Sequence, residues 1–202
     1  MIWYEDEVRQ LEANVQSLVR KQQLPAEGPV VFYGSSSIRL WTTLANDFPQ
    51  IPTLNLGFGG STLAACAWFF ERLVVPARPK SIAFYAGDND LGDGRHPEEV
   101  YLFFCALAEK MRRLLPGVPL AYMTIKVSPA RWNLAKEIIQ ANKMIANEIK
   151  QYTDWQVIDT TTPLLGPDGR PRRELFESDG LHLSSAGYKV WQRVLTEKYA
   201  NF

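Results

Sequence analysis

Five short, largely apolar runs alternate along this chain with longer stretches of helical period, and that alternation narrows the possible folds to one class. The runs are Pro29–Tyr33, Pro52–Leu56, Ser81–Ala86, Val118–Thr124 and Trp155–Ile158, each ending in glycine, polar or turn residues as buried strands do. A strand with one wet face alternates apolar and polar residues, whereas these runs lack that alternation and ask for cover on both sides. The cover is supplied by stretches that repeat their apolar residues every three to four positions: Glu5–Gln22, Ser61–Val75, Pro97–Leu115, Trp132–Tyr152 and Ser184–Tyr199. Together they predict a three-layer α/β/α fold around a mostly parallel sheet. At 202 residues, one domain spanning 1–202 is expected.

Helix ends support this reading. His96-Pro97-Glu98-Glu99 puts proline and acids in a first turn, and Leu115-Pro116-Gly117 breaks the same helix. In Trp132–Tyr152, Ile138, Ala141, Ile145 and Ile149 make one packing stripe. Gly166–Pro171 is the clearest turn-rich stretch, and no repeat is present.

Charge excludes several partners. Twenty-two basic residues balance twenty-two acidic ones, so no net field draws nucleic acid or an anionic membrane surface. Glu5, Asp6 and Glu7 stand where an export signal would be basic, and no apolar run reaches the roughly 18 to 20 residues of a membrane span, so a cytoplasmic protein is expected. Cys66 and Cys105 lack metal-site spacing and read as small buried hydrophobes, with neither disulfide nor metal expected. No heptad seam reveals an oligomeric state, which stays open.

The chemistry collects where the first three strands end. Gly34-Ser35-Ser36-Ser37, Gly57-Phe58-Gly59-Gly60-Ser61 and Gly87-Asp88-Asn89-Asp90 are small, polar loops, and in an open parallel sheet such loops converge on one crevice. They offer hydroxyls, backbone N–H groups and an amide, the parts needed to hold a developing oxyanion. A serine nucleophile also needs a base. Of the two histidines, His96 reads as a surface or capping residue at a helix start. His182, in Ser178-Asp179-Gly180-Leu181-His182, has a carboxylate three residues away and a glycine turn between them, as a Ser-His-Asp relay requires.

These four blocks, in this order, resemble those of the GDSL-like lipases and acylhydrolases, the SGNH hydrolases, over most of the chain. The resemblance implies a flavodoxin-like five-stranded parallel sheet of order 2-1-3-4-5. It implies Ser36 as nucleophile, Asp179 and His182 as its acid and base, and Gly60 (or Gly59) and Asn89 as oxyanion-hole donors. The family's aspartate before the nucleophile is Ser35 here, which leaves serines on both sides of Ser36. An α/β-hydrolase elbow, Gly-x-Ser-x-Gly, is a poorer fit because its last position is Ile38.

The implied activity is hydrolysis of a small ester, acetyl or short-chain acyl, with no cofactor. Tyr33, Arg39, Trp41, Phe58, Arg131 and Trp132 lie near strand ends or the loop after the fourth strand and are expected to line the substrate pocket. Two alternatives use the same loops. One is a non-catalytic module cradling a phosphate or nucleotide, which has no use for Asp179 and His182. The other is a metal-dependent hydrolase with Asp88, Asp90 and Asp93 joining them as ligands.

Overall fold

The computed structural model describes residues 1–199. Its strands are β1 (Val30–Gly34), β2 (Thr53–Gly57), β3 (Ser81–Tyr85), β4 (Leu120–Met123) and β5 (Trp155–Ile158). They form one five-stranded sheet in the order β2-β1-β3-β4-β5, every neighbouring pair parallel. Register runs Val30 to Thr53 and to Ser81, so β1, β2 and β3 end level at Gly34, Gly57 and Tyr85. The three central strands are buried at every position, while β2 and β5, at the sheet edges, are partly exposed.

Around the sheet run α1 (Glu5–Arg20), the short α2 (Ser36–Arg39) and α3 (Leu44–Asp47), α4 (Leu63–Leu73), α5 (Asp88–Gly92), α6 (Pro97–Leu114), α7 (Ala135–Ile149) and α8 (Ser185–Tyr199). Alternate strand residues feed two cores. Val31, Tyr33, Phe84 and Tyr122 pack under α1, α4, α6 and α7, whereas Phe32, Tyr85, Ala121 and Met123 meet Ile38, Trp41 and, from α8, Trp191 and Leu195. One face therefore carries four long helices. The other carries α8 and short segments, and its rings make up the difference: Trp41 and Tyr85 lie 6.1 and 5.0 Å from Trp191.

Helix starts follow from simple chemistry. Three acids open α1 at the positive end of its dipole, and Glu5 and Glu12 pair with Arg72 of α4 at 2.9 and 2.7 Å. At α6, Glu99 accepts the exposed His96 N–H at 2.9 Å, which assigns that histidine to a helix cap. The helix expected from Trp132 begins three residues later, because Pro129–Leu134 form a 3₁₀ turn first. Among the described residues no helix is long and apolar enough to cross a membrane.

Candidate active site

Gly34 ends β1 and lets the chain turn against β3. A Cβ there would fall 1.8 Å from the Tyr85 carbonyl oxygen, which instead accepts the Ser35 N–H at 2.9 Å. The turn spreads three consecutive serines over three environments. Ser35 is fully buried with its hydroxyl unpartnered, and Ser37 is buried with its Oγ 3.0 Å from Lys126 Nζ. Ser36, at the start of α2, is half-exposed, and its Oγ lies 3.0 Å from His182 Nε2.

His182 reaches Ser36 from a loop that folds on itself. Gly180 turns with φ +67°, the Glu177 N–H donates to the His182 carbonyl at 2.8 Å, and the Ala130 N–H donates to the Gly180 carbonyl at 3.0 Å. Asp179 Oδ1 accepts the N–H groups of Leu181 (2.8 Å) and His182 (3.0 Å), while Oδ2 sits 2.6 Å from His182 Nδ1. Partial burial works against the charge of Asp179. The two N–H groups and the imidazole outweigh it, and hold the carboxyl down at about 2. An ionised carboxylate only accepts, so Nδ1 carries the ring proton and Nε2 is left to accept from the Ser36 hydroxyl. Asp179, His182 and Ser36 thus stand in one hydrogen-bonded line.

The oxyanion candidates follow the ends of β2 and β3. The Gly59 N–H is committed to Glu7 Oε2 at 2.8 Å, whereas that of Gly60 has no acceptor among the described residues. Asn89 is the second residue of α5: its Nδ2 donates to the carbonyl of Ser61, next to Gly60, at 3.0 Å, and its Oδ1 accepts from Arg131 Nη2 at 3.1 Å. Among the described residues the other Nδ2 hydrogen has no acceptor. Beside them is a buried ionic cluster. Lys126 Nζ donates to Ser37 Oγ (3.0 Å), Tyr85 OH (3.0 Å) and Asp88 Oδ2 (3.2 Å), so all three ammonium hydrogens are used. Burial opposes ionisation of Asp88, but Lys126 and Arg131 beside it keep its carboxyl below the usual carboxylate range.

The family model of the GDSL-like lipases and acylhydrolases matches residues 26–190, which is most of the chain and contains every residue of the serine–histidine line. The chain belongs to the GDSL-like lipase/acylhydrolase family. That membership makes it a carboxylic-ester hydrolase. Solved structures of similar fold include a protein described as a platelet activating factor from Streptococcus pneumonia, 18% identical, with a TM-score of 0.83 over 97% of this chain and 94% of that one. A GDSL-like lipase from Bacteroides thetaiotaomicron is 17% identical, with a TM-score of 0.77 over 94% and 98%. A carbohydrate esterase family 3 protein from Talaromyces cellulolyticus is also 17% identical, with a TM-score of 0.69 over 85% and 95%. Among curated proteins no sequence matches the chain.

Of the residues expected from the motifs, Ser36, His182 and Asp179 are joined by hydrogen bonds, and Asn89 donates to the carbonyl of Ser61, whose own hydroxyl donates to the Gly34 carbonyl at 3.1 Å. The expected pocket residues fare differently. Tyr33 and Phe58 are fully buried: Tyr33 donates its hydroxyl to the Cys66 carbonyl at 2.8 Å, and Phe58 meets Phe69 edge-on, so neither lines a substrate pocket. Trp41 belongs to the core as well, and Arg39 pairs with Glu7 at 2.6 Å. Arg131 is turned to Asn89 and Asp88. Trp132 is 39% exposed on the loop that holds Gly180, with the Arg170 guanidinium 5.4 Å over its ring. Of the carboxylates weighed as metal ligands, Asp88 Oδ2 faces two cations and Asp90 Oδ2 accepts the Leu63 N–H at 2.7 Å, and among the described residues no three His, Cys, Asp or Glu side chains gather as a metal site would need. Beside His182 a cavity of about 390 Å³ is lined by Leu40, Thr42, Asp47, Glu177, Tyr188 and Lys189, among others.

Sequence reasoning missed Lys126 and Glu7. A lysine between Ile125 and Val127, just past the end of β4, was a usable signal, because an ammonium seldom enters an apolar run without a partner. Glu7 carried none, being one acid among several on an amphipathic helix.

Proposed function

We propose that the chain is a single-domain serine esterase of acetyl or other short-chain acyl esters, working through Ser36, His182 and Asp179. The observation that carries this reading is the unbroken line from Asp179 through His182 to the one accessible serine of the turn, at 2.6 and 3.0 Å.

In the mechanism, His182 Nε2 takes the Ser36 proton as Oγ attacks the ester carbonyl, and Asp179 steadies the imidazolium that results. The carbonyl oxygen, now an anion, is met by the N–H groups of Ser36 and Gly60 and by the free Nδ2 hydrogen of Asn89. Collapse breaks the ester C–O bond, and His182 returns its proton to the leaving alkoxide. A water then gives a proton to His182 and attacks the acyl-Ser36 carbonyl; the second collapse releases the carboxylic acid and restores the serine hydroxyl.

A short acyl group is favoured by the walls beside His182. Asp47, Glu177 and Lys189 stand there with Leu40 and Tyr188, and a long alkyl chain laid across them would leave charged groups poorly solvated. The fold shared with a carbohydrate esterase accords with a polar alcohol portion, for which half-exposed Trp132 offers an aromatic platform.

The test is intact-mass detection of a fluorophosphonate adduct on wild type, Ser36→Ala and Ser35→Ala, with p-nitrophenyl acetate turnover alongside. The adduct and the turnover are expected to vanish in Ser36→Ala and persist in Ser35→Ala. An adduct retained in Ser36→Ala would move the nucleophile elsewhere.

A further inference from the structure

A primary amide can sit in either of two orientations half a turn apart, and only one of them lets Asn89 offer a hydrogen to an oxyanion while its partners stay satisfied. Two neighbours select it. The Ser61 carbonyl can only accept, so it demands the amide NH₂; the Arg131 guanidinium can only donate, so it demands the amide oxygen. Ser61 alone would tolerate an Asn89 whose other end is unpaired and free to tilt. Arg131 removes that freedom by holding Oδ1 at 3.1 Å.

Arg131 is itself held. Its Nη1 pairs with Asp88 Oδ2 at 3.3 Å, and that same oxygen receives Lys126, whose other hydrogens go to Tyr85 OH and Ser37 Oγ. The guanidinium also lies close over α5, where a Cβ on Gly92 would come within 2.7 to 2.9 Å of it. The chain of contacts therefore runs from Ser37, next to the nucleophile, through Lys126, Asp88 and Arg131 to Asn89.

We propose that Arg131 is a positioning residue for catalysis: it sets the orientation of the Asn89 amide and so readies that donor for the transition state. This rests on the oxyanion role proposed for Asn89. It differs from a role in gripping substrate, because Arg131 turns Nη2 to Asn89 and pairs Nη1 with the Asp88 carboxylate, and a neutral acetyl ester presents no anion for it to grip.

The test compares Arg131→Met, Arg131→Lys, Asn89→Ala and the Arg131→Met/Asn89→Ala double variant on p-nitrophenyl acetate, with rates normalised to active sites titrated to completion by fluorophosphonate. Asn89→Ala is expected to lower kcat by roughly 10²- to 10³-fold. Arg131→Met should lower kcat by about ten-fold with KM nearly unchanged, Arg131→Lys should recover part of that, and the double variant should be no slower than Asn89→Ala. A merely structural role would lower the titre of active sites and leave kcat per site alone, which would overturn the proposal. So would a rise in KM without loss of kcat, or equal losses from Arg131→Met with and without Asn89. If Asn89→Ala keeps wild-type kcat, the oxyanion reading itself fails; if Asn89→Ala is slow and Arg131→Met is not, only the present inference fails.

Discussion

Ser36 and Asn89 leave the ends of β1 and β3, adjacent strands at the centre of the sheet, whereas Asp179 and His182 stand on a loop closed at its base by the bridge between Phe176 and Leu183 and tied to its neighbour by the Ala130 N–H. Ser36 and Asn89 are half-exposed like His182, and the division lies in what surrounds them. Ser35, Ser37, Asp88 and Lys126 are at most 5% exposed, while the side chains of His182 and Asp179 are 27% and 48% exposed. Ser36 and Asn89 are placed by folding of the core, so they cannot shift unless the centre of the sheet is disturbed. His182 is placed by short local bonds around one glycine turn. One region should trade activity against stability, and the other should lose activity almost alone.

The sharpest way to break that comparison is Asp179→Asn. Asparagine still offers Oδ1 to the N–H groups of Leu181 and His182, but its NH₂ would face Nδ1 and force the imidazole proton onto Nε2, where Ser36 needs an acceptor. A fall in kcat on the order of 10⁴-fold is expected, as for loss of the acid in other Ser-His-Asp relays. The urea midpoint should stay close to wild type. A large drop in that midpoint would mean that the loop is braced by its carboxylate as well as served by it.

Lys126→Met probes the other region. It strips a donor from Ser37 and Tyr85 and leaves Asp88 facing Arg131 alone. Breaking a buried pair in this way is expected to cost about 3 kcal/mol, read as a lower urea midpoint at unchanged slope. Unchanged stability would show that the cluster contributes no more than a well-packed methionine.

How much of this was legible from residues alone follows the same line. The five strands were placed within two residues of their observed ends, because β1, β3 and β4 are buried on both faces and such runs have no polar interruption. Their order came from the resemblance, since periodicity carries no information on which strand neighbours which. The short α3 and α5 escaped notice because four or five residues cannot establish a helical period. Ser36, Asn89, Asp179 and His182 could be named because each lies in a loop of the same spacing the family uses. Tyr33 and Phe58 were misplaced by nearness in sequence to the site: Tyr33 alternates with Phe32 and so points to the α4 face, and Phe58 packs against Tyr4 and Phe69. The Lys126–Asp88–Arg131 cluster joins residues from two loops, and no local pattern records that meeting.

Two aspartates carry the comparison into pH. Asp179, on the loop, is held at about 2 by donors around it, so it keeps its charge through any ordinary assay range. Asp90, fully buried at the amino end of α4, is pushed up to about 6, chiefly by burial; the N–H groups of Leu63 and Ala64 only partly offset this, and the nearby Asp88 charge adds to it. In the unfolded chain Asp90 ionises near the ordinary value of 3.8. Between about 4 and about 6 the folded protein therefore holds a proton that the unfolded chain has released, so this group makes folding less favourable as pH rises through that window and levels off above it. Asp90→Asn removes the titration and keeps an acceptor for the Leu63 N–H. Whatever its offset at pH 7, the stability of wild type relative to Asp90→Asn should rise by on the order of 2 kcal/mol as pH falls from about 7 to about 4. Thermal unfolding of the two proteins across that range is the check, and parallel curves would mean that Asp90 meets more water in solution than its burial beneath α4 allows.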